Sequence, residues 1–368
     1  MTVDPRTSTS ASATSPTRTD LREAWSQLGE SLMDFGDWAL DCDSELDRAE
    51  GVRHALRYLG HLTESLIERN DPMRPEVLLV QTPIRKFFGD AVDCNYYMAK
   101  ISGTEEYRVY GRRGTTPFFS AQLHRNRGGA RVAETMVITP DMCTADGDYE
   151  FYLAQDLNGR PGMVLDDHCG ELLLRDYGKV GDDEQRPTIE IERLGAPVGP
   201  RPELTEATLA HRVALSAKAL RLSRKWLDAL VEKLRATPNQ LDHRWGADDP
   251  AFSFFYGTPT NHYIAAWYDL DEAKAIEITL KPPPAEYVGI DLYNRWFESL
   301  EARDRQVHLN DAYLVPNADG SITVRISVEQ QEGNWLDPCG HLEGIVLIRY
   351  IQHDQSGELP VPTLEVIR

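Results

Sequence analysis

The chain has 368 residues, 41% of them hydrophobic and 27% charged, with a formal net charge of −20. That sign repels phosphate backbones and anionic lipid, which argues against nucleic acid and membrane surfaces as partners. No run approaches the ~20 consecutive apolar residues needed to cross a bilayer, and five separated cysteines without a C-x-x-C pair suit reduced thiols in a cytoplasm.

Residues 1–19 are rich in Ser, Thr, Ala and Pro, carry no apolar core, and read as a disordered tail rather than a secretory signal. Asp20 opens a helix, with Glu23 three residues on and Leu21, Leu28, Leu32 and Phe35 at helical spacing. A second helix follows Ser44, carries Val52, Leu59, Leu62 and Leu66, and stops near Asn70-Asp71-Pro72. The helical segment thus covers 20–75. Over 76–200 the runs VLLVQTP, EYRVYGRRG, ETMVITP, YEFYLAQ and ELLLRDY are short, β-branched or aromatic, and divided by Gly, Pro and Asp. They predict a first antiparallel β-sandwich. A linking segment, 201–240, holds a long helix from Thr205 to Arg235 with Leu209, Val213, Ser216, Leu220, Ser223, Leu227, Leu230 and Leu234 in one stripe. A second β-rich region fills 241–368.

The two β regions echo each other. Asn95-Tyr96-Tyr97-Met98-Ala99 matches Asn261-His262-Tyr263-Ile264-Ala265, and Asp146-Gly147 matches Asp319-Gly320. Asp167-x-Cys169-Gly170 matches Asp337-x-Cys339-Gly340, and both lead to strand endings at Arg175 and Arg349. Ordered landmarks at a nearly constant offset indicate a duplicated unit. The expected fold class is α+β: two related antiparallel β-sandwich (jelly-roll-like) domains with an N-terminal helical segment and a long linking helix.

The stretches AEGVRHALRYLGHL, KFFGDAVDCNYYMAKISGTEEYRVYGRRG, YNRWFESLEARDRQVHLND and NWLDPCGH resemble actinobacterial proteins carrying the domain of unknown function 1214. N-W-L-D-x-x-G-H is the most specific of these; the first copy has Gly162-Met163-Val164-Leu165 where N-W-L is common in that family. The resemblance implies jelly-roll-like sandwiches with helical additions. It supplies no reaction and no catalytic residues.

Several clusters carry chemistry. Asp337, Cys339, His341 and Glu343 offer metal-ligand or acid/base groups, and the last three would share a face if the backbone is extended. Pro338-Cys339-Gly340 is also a good turn, so Asp-x-Cys-Gly reads first as a repeated turn, with His341 standing where the first copy has Glu171. The string Asp166-Asp167-His168-Cys169-Gly170-Glu171 fits a magnesium-diphosphate motif, but it falls between strands and lacks its partner motif. In Val307–Asp311, strand alternation places His308 and Asn310 on one face; His308 is either a general base or a strand histidine bonded to a carboxylate. Trp267, Tyr268, Tyr287, Tyr293, Trp296, Phe297, Tyr313 and Trp335 form a dense aromatic set, read either as core or as a pocket wall. Trp296 and Trp335 are preferred as wall because Asn294, Arg295 and Asn334 adjoin them. P-loop, dinucleotide, serine-hydrolase-elbow and H-E-x-x-H signatures do not occur.

The expectation is a small-molecule enzyme of hydrolase or lyase type, acting on an uncharged or hydrophobic substrate such as a terpenoid, a steroid-like compound or a glycan. Its pocket lies in or beside the second sandwich. His308 or His341 acts as acid/base, Asp311 or Asp337 orients the imidazole, and Trp296, Trp335, Asn334 and His262 contact substrate. No cofactor and no metal ligand is assigned. The rival is a non-catalytic ligand-binding or interaction protein, with a homo-oligomer left open. A divalent-metal enzyme, including terpenoid diphosphate chemistry, is a further alternative.

Overall fold

A computed structural model describes residues 20–127, 131–180, 184–241, 243–245, 258, 261–271, 273–353 and 359–368; the tail expected over 1–19 lies outside them. Helix α1 spans Leu21–Leu40, and the Asp20 carboxylate accepts from Glu23 N at 2.7 Å, satisfying a donor that the helix leaves open. Helix α2 spans Glu45–Leu62 behind the Ser44 cap and runs on as one π-helical turn, Thr63–Glu68. The buried face of α2 differs from the expected leucine stripe. Asp47, Gly51, His54, Ala55, Tyr58, His61 and Leu62 are buried, whereas Val52, Leu59 and Leu66 are half-buried. Two polar members of that face have partners on other elements: His54 Nδ1 lies 2.9 Å from Glu298 Oε1, and the Asp47 carbonyl accepts from Trp296 Nε1 at 3.0 Å. Helix α3, Glu206–Arg235, buries the stripe expected from Val213 to Leu234 and packs along α1.

The strands form two matching sets. The first repeat contains β1 (Leu78–Leu79), β2 (Cys94–Lys100), β3 (Tyr107–Arg112), β4 (Phe118–Arg125), β5 (Val132–Val137), β6 (Asp148–Ala154), β7 (Gly162–Val164), β8 (Cys169–Tyr177) and β9 (Glu190–Arg193). The second contains β10 (His243–Trp245), β11 (His262–Asp269), β12 (Ala275–Leu280), β13 (Ala285–Tyr293), β14 (His308–Asn310), β15 (Ile322–Ile326), β16 (Trp335–Leu336), β17 (Glu343–His353) and β18 (Thr363–Ile367). The five-stranded sheets run β1-β2-β8-β4-β5 and β10-β11-β17-β13-β14; the four-stranded sheets run β7-β6-β3-β9 and β16-β15-β12-β18. The orders are identical strand for strand, down to the one parallel pair in each copy, β6 with β7 and β15 with β16. The fold is α+β with two β-sandwiches.

Each sandwich closes over its own core, Phe119, Leu123, Phe151, Leu172 and Leu174 in the first, Ile276, Ile290, Val324, Val346 and Ile348 in the second. Side chains alternate across a strand, so each large sheet has a second apolar face. In the second repeat this face carries Trp267, Tyr293, Ile345 and Leu347, packed with Phe35 of α1 and Leu227 and Val231 of α3. In the first it carries Tyr96 and Met98, packed with Tyr58, Leu62 and Leu220.

Strand register corrects two of the sequence echoes. Tyr96 pairs with Arg175, and Tyr263 pairs with Arg349. The matching tyrosine of Tyr263 is therefore Tyr96, one residue from the echo read on Asn95 and Asn261. A one-residue slip moves every side chain to the other face of a sheet, so the correction decides which residues meet. The Asp-x-Cys-Gly pieces are displaced further. Arg175 lies six residues after Cys169, but Arg349 lies ten after Cys339. β8 starts at Cys169 itself, whereas Cys339 and Gly340 sit in a turn before β17. His341 consequently has no counterpart at Glu171: Glu171 pairs with Lys100 and His124, and the residue so placed in the second repeat is Ile345, between Trp267 and Tyr293. No helix among the described residues is long and apolar enough to cross a membrane.

Candidate functional site

The residues nominated from sequence separate into several local networks. His308, on β14, places Nε2 3.2 Å from Asp93 Oδ1, and Asn310 Nδ2 donates to Asp93 Oδ2 at 2.8 Å. The expected alternation is present, but the carboxylate is Asp93 of the first repeat, not Asp311. Asp311 lies past the strand end, where it accepts from Val288 N at 3.1 Å and pairs with Lys179 at 2.5 Å. Burial opposes charge on His308, but the Asp93 hydrogen bond and charge outweigh it and raise its pKa. Burial likewise opposes the Asp93 carboxylate, which His308, Asn310 and Tyr287 hold below the ordinary range.

Asp337 does not orient His341. Its carboxylate accepts from Cys339 N at 2.8 Å and pairs with Arg305 at 2.8 Å, and Cys339 and Gly340 have φ of 55° and 88°. This is the turn reading of the motif, and it breaks the extended face that Cys339, His341 and Glu343 would have shared. His341 is buried against the first two turns of α2, with Nδ1 3.8 Å from Asp47 Oδ1 and Nε2 3.3 Å from Glu50 Oε2. Glu50 also accepts from Arg53 and Asn294, each at 2.8 Å. Asp47, Glu50 and His341 offer ligand atoms within 4.8 Å of one another, a spacing compatible with one divalent cation.

The proposed aromatic wall does not form. Trp296 is fully buried, edge-on to Trp38 at 4.9 Å. Trp335 is half-buried in the small sheet of the second sandwich and donates to the Ser327 carbonyl at 3.0 Å. Asn334 secures the same region, donating to the carbonyls of Val315 and Thr323 at 2.8 and 3.0 Å. His262 is half-buried at the start of β11, opposite Tyr350. In the aspartate-rich string, Asp166 pairs with Arg125 at 2.5 Å while Glu171 pairs with Lys100 at 2.5 Å, so the two carboxylates serve different cations.

What the structure brings together is a cavity of about 150 Å³ between the two repeats and α2. Three pairs of equivalent residues line it: Tyr96 with Tyr263, Leu173 with Leu347, and Arg175 with Arg349. Helix α2 adds Tyr58 and His61, and Phe88 and Phe297 complete the aromatic wall. A neighbouring groove shares Tyr58, Phe88 and Glu171 with it.

Both guanidiniums are anchored. Arg175 Nη1 donates to Gln122 Oε1 at 3.0 Å, and its guanidinium stands 5.8 Å from the Tyr96 ring centre. Arg349 forms an ion pair with Asp291, donates to the Gly89 carbonyl at 2.6 Å, and stands 6.0 Å from the Tyr263 ring centre. Gly89 is required there: its φ is +72°, and a Cβ would come within 2.5 Å of the Phe297 ring. Burial alone would raise the pKa of Glu171, but Lys100 and His124 hold it well below the carboxylate range. Burial, with Arg85 and Lys100 nearby, pushes His61 down to about 3. The ring is therefore neutral at pH 7. Its Nε2 lies 3.4 Å from Ser65 Oγ, while Nδ1 is buried and has no partner among the described residues.

Sequence reading registered Arg175 and Arg349 only as landmarks and passed over His61. Two signals pointed to them: a charged residue at the same place in both copies of a buried strand, and the polar sequence Asp47, Glu50, His54, Tyr58, His61 at steps of three and four along α2.

No protein-family model matches the chain. No curated protein matches it. An uncharacterized protein from Burkholderia cenocepacia has a similar structure, with a TM-score of 0.85 at 24% identity over 94% of this chain and 97% of that one. The VPA0106 protein from Vibrio parahaemolyticus aligns with a TM-score of 0.49 at 14% identity, over 93% of this chain and 99% of that one. The first likeness establishes that the whole two-sandwich arrangement recurs in another protein, and it bears on the fold alone.

Proposed function

We propose that the cavity between the repeats is the ligand site of this protein, and that it receives a small organic molecule with a largely apolar body. The observation that carries this reading is the convergence of three equivalent residue pairs on one cavity, which His61 of α2 also lines; among the described residues its buried Nδ1 has no hydrogen-bond partner. Buried polar groups are ordinarily hydrogen-bonded, and ligand sites combine apolar walls with a few fixed polar groups. A cytoplasmic setting suits the free cysteines. The resemblance to proteins carrying the domain of unknown function 1214 rests on the motif residues alone.

A second reading is an acid/base enzyme of hydrolase or lyase type working in the same cavity. The imidazole of His61 in the cavity lining favours it, as the one histidine there. A pKa of about 3 makes this ring a weak base at neutral pH, which ranks catalysis behind binding.

A thermal-shift screen of terpenoid, steroid-like, sugar and aromatic small molecules tests the site. Compounds that raise the melting temperature of the wild-type chain should lose that effect in Leu173→Phe, which fills the cavity. Compounds that stabilise both proteins equally would place the site elsewhere. For the enzyme reading, His61→Gln should abolish turnover of a bound compound while its affinity stays within about twofold; unchanged turnover would remove His61 from the chemistry.

A further inference from the structure

We infer that Asp47, Glu50 and His341 form a binding site for one zinc ion, which ties the start of α2 to the turn before β17. The site is separate from the inter-repeat cavity and does not depend on it. Asp47 and Glu50 stand at i and i+3 on α2 and so share a helix face. His341 reaches them from the far end of the chain, where its backbone N–H donates to the Pro338 carbonyl at 2.9 Å and closes the turn. Each of the three offers a ligand atom within 4.8 Å of the other two.

Asp47 carries the argument furthest. The residue is buried, yet among the described residues no hydrogen bond reaches its carboxylate. Its backbone N–H donates to Ser44 and its carbonyl accepts from Trp296, while Oδ1 faces His341 Nδ1 at 3.8 Å. Buried polar groups ordinarily have partners, and a buried charge is paired or coordinates a metal. Burial raises the Asp47 pKa against the pull of His341 and Arg295, so these neighbours undercompensate its charge. Glu50 is held in place beforehand: Arg53 and Asn294 each donate to it at 2.8 Å, as outer hydrogen bonds orient a metal-binding carboxylate. His341 Nε2 lies 3.3 Å from Glu50 Oε2. That is the separation of two ligands on a tetrahedral zinc with bonds of about 2.0–2.1 Å. Asp47 stands wider and closes on the ion by side-chain rotation. An imidazole with two carboxylates suits zinc better than magnesium or calcium, which take oxygen ligands. Water takes the fourth position. The side chains of Asp47, Glu50 and His341 keep 11, 13 and 4% exposure, so the two carboxylates form the solvent edge by which an ion enters.

The test is calorimetric titration of the full chain, treated with EDTA and dialysed, with zinc chloride. One equivalent should bind with a Kd of about 1 μM or tighter. The chain has ten histidines and five cysteines, so variants must locate the ion. Glu50→Gln, which keeps the shape of the side chain, and His341→Ala should each weaken that equivalent about a hundredfold or more. Hydrogen exchange should show zinc protecting the first turns of α2 together with the Pro338–His341 turn, and magnesium or calcium at the same concentration should protect neither. No tight equivalent in the wild type, or one bound unchanged by either folded variant, overturns the site. If neither variant folds, the exchange pattern of the wild-type chain decides, and protection confined to other segments ends the assignment.

Discussion

Arg175 and Arg349 occupy the same strand position in two repeats, each opposite an equivalent tyrosine, and line one cavity between them. Duplication has placed a charged residue at a matching point on the outer face of each large sheet. Packing those faces towards α2 makes the two points neighbours. Each charge needs its own partners, and Gln122, Thr258, Asp291 and Gly89 supply them.

Removing one partner of the Arg349–Asp291 pair should be costly. Arg349→Met leaves Asp291 fully buried without its cation, and a loss of about 3–5 kcal/mol is expected in urea denaturation. Arg349→Met combined with Asp291→Asn should recover part of that loss, since the uncompensated charge is gone. A double variant as unstable as the single one would contradict this account.

Stability should fall on the acid side through His61 and His124. Both fold with pKa values below the ordinary histidine value, about 3 and about 4, because burial disfavours their charged forms. The unfolded chain then binds more protons than the folded chain between about pH 6.5 and those values. Their contribution is therefore full above about pH 6.5 and declines as pH drops towards 3–4. His308 has the opposite sign: its raised pKa stabilises the fold fully below about pH 6.5, and this is lost as pH rises through its folded value. Urea midpoints from pH 4 to pH 8 should thus drop towards the acid end less steeply in His61→Gln, and towards the alkaline end less steeply in His308→Gln.

Gly89→Ala should destabilise the fold by about 1–3 kcal/mol, since it combines an unfavourable φ with a contact on Phe297. It should also weaken any cavity ligand, because the Gly89 carbonyl anchors Arg349. Calorimetric melting measures the first effect and titration the second.

Trp296→Ala should lose about 3–5 kcal/mol, as expected for a fully buried aromatic side chain. Trp335→Ala, at a half-buried site, should lose less, and ligand affinity should be unchanged in it. A large affinity loss in Trp335→Ala would restore the aromatic wall. Chemical denaturation and titration on the same samples separate these outcomes.

His341→Ala should expose the reason for that residue. It leaves Asp47 and Glu50 adjacent without the imidazole, and burial already raises the Asp47 pKa. A loss of about 1–3 kcal/mol is expected. If zinc added to the wild-type chain raises its melting temperature, and this effect disappears in His341→Ala, the three residues are a cation site.

Much of the fold was legible in local pattern. The Asp20 and Ser44 caps, the long stripe of α3 and the division into two similar β regions follow from capping, helical spacing and repetition. The turn at Pro338-Cys339-Gly340 was legible for the same reason, since it depends on residues that are neighbours in the chain. Less of the candidate site could be read this way. Its members come from α2, from β2 and β8, and from β11 and β17, and no spacing rule relates them. A one-residue error in matching Tyr96 to Tyr263 was enough to hide that they face one cavity. The sequence by itself determined the elements, the duplication and which residues were costly to bury. Tertiary structure alone decided their partners: Asp93 for His308, Asp47 and Glu50 for His341, Asp291 for Arg349. Register and sheet facing are set by long-range packing, and a buried charge is stable only where that packing delivers a partner.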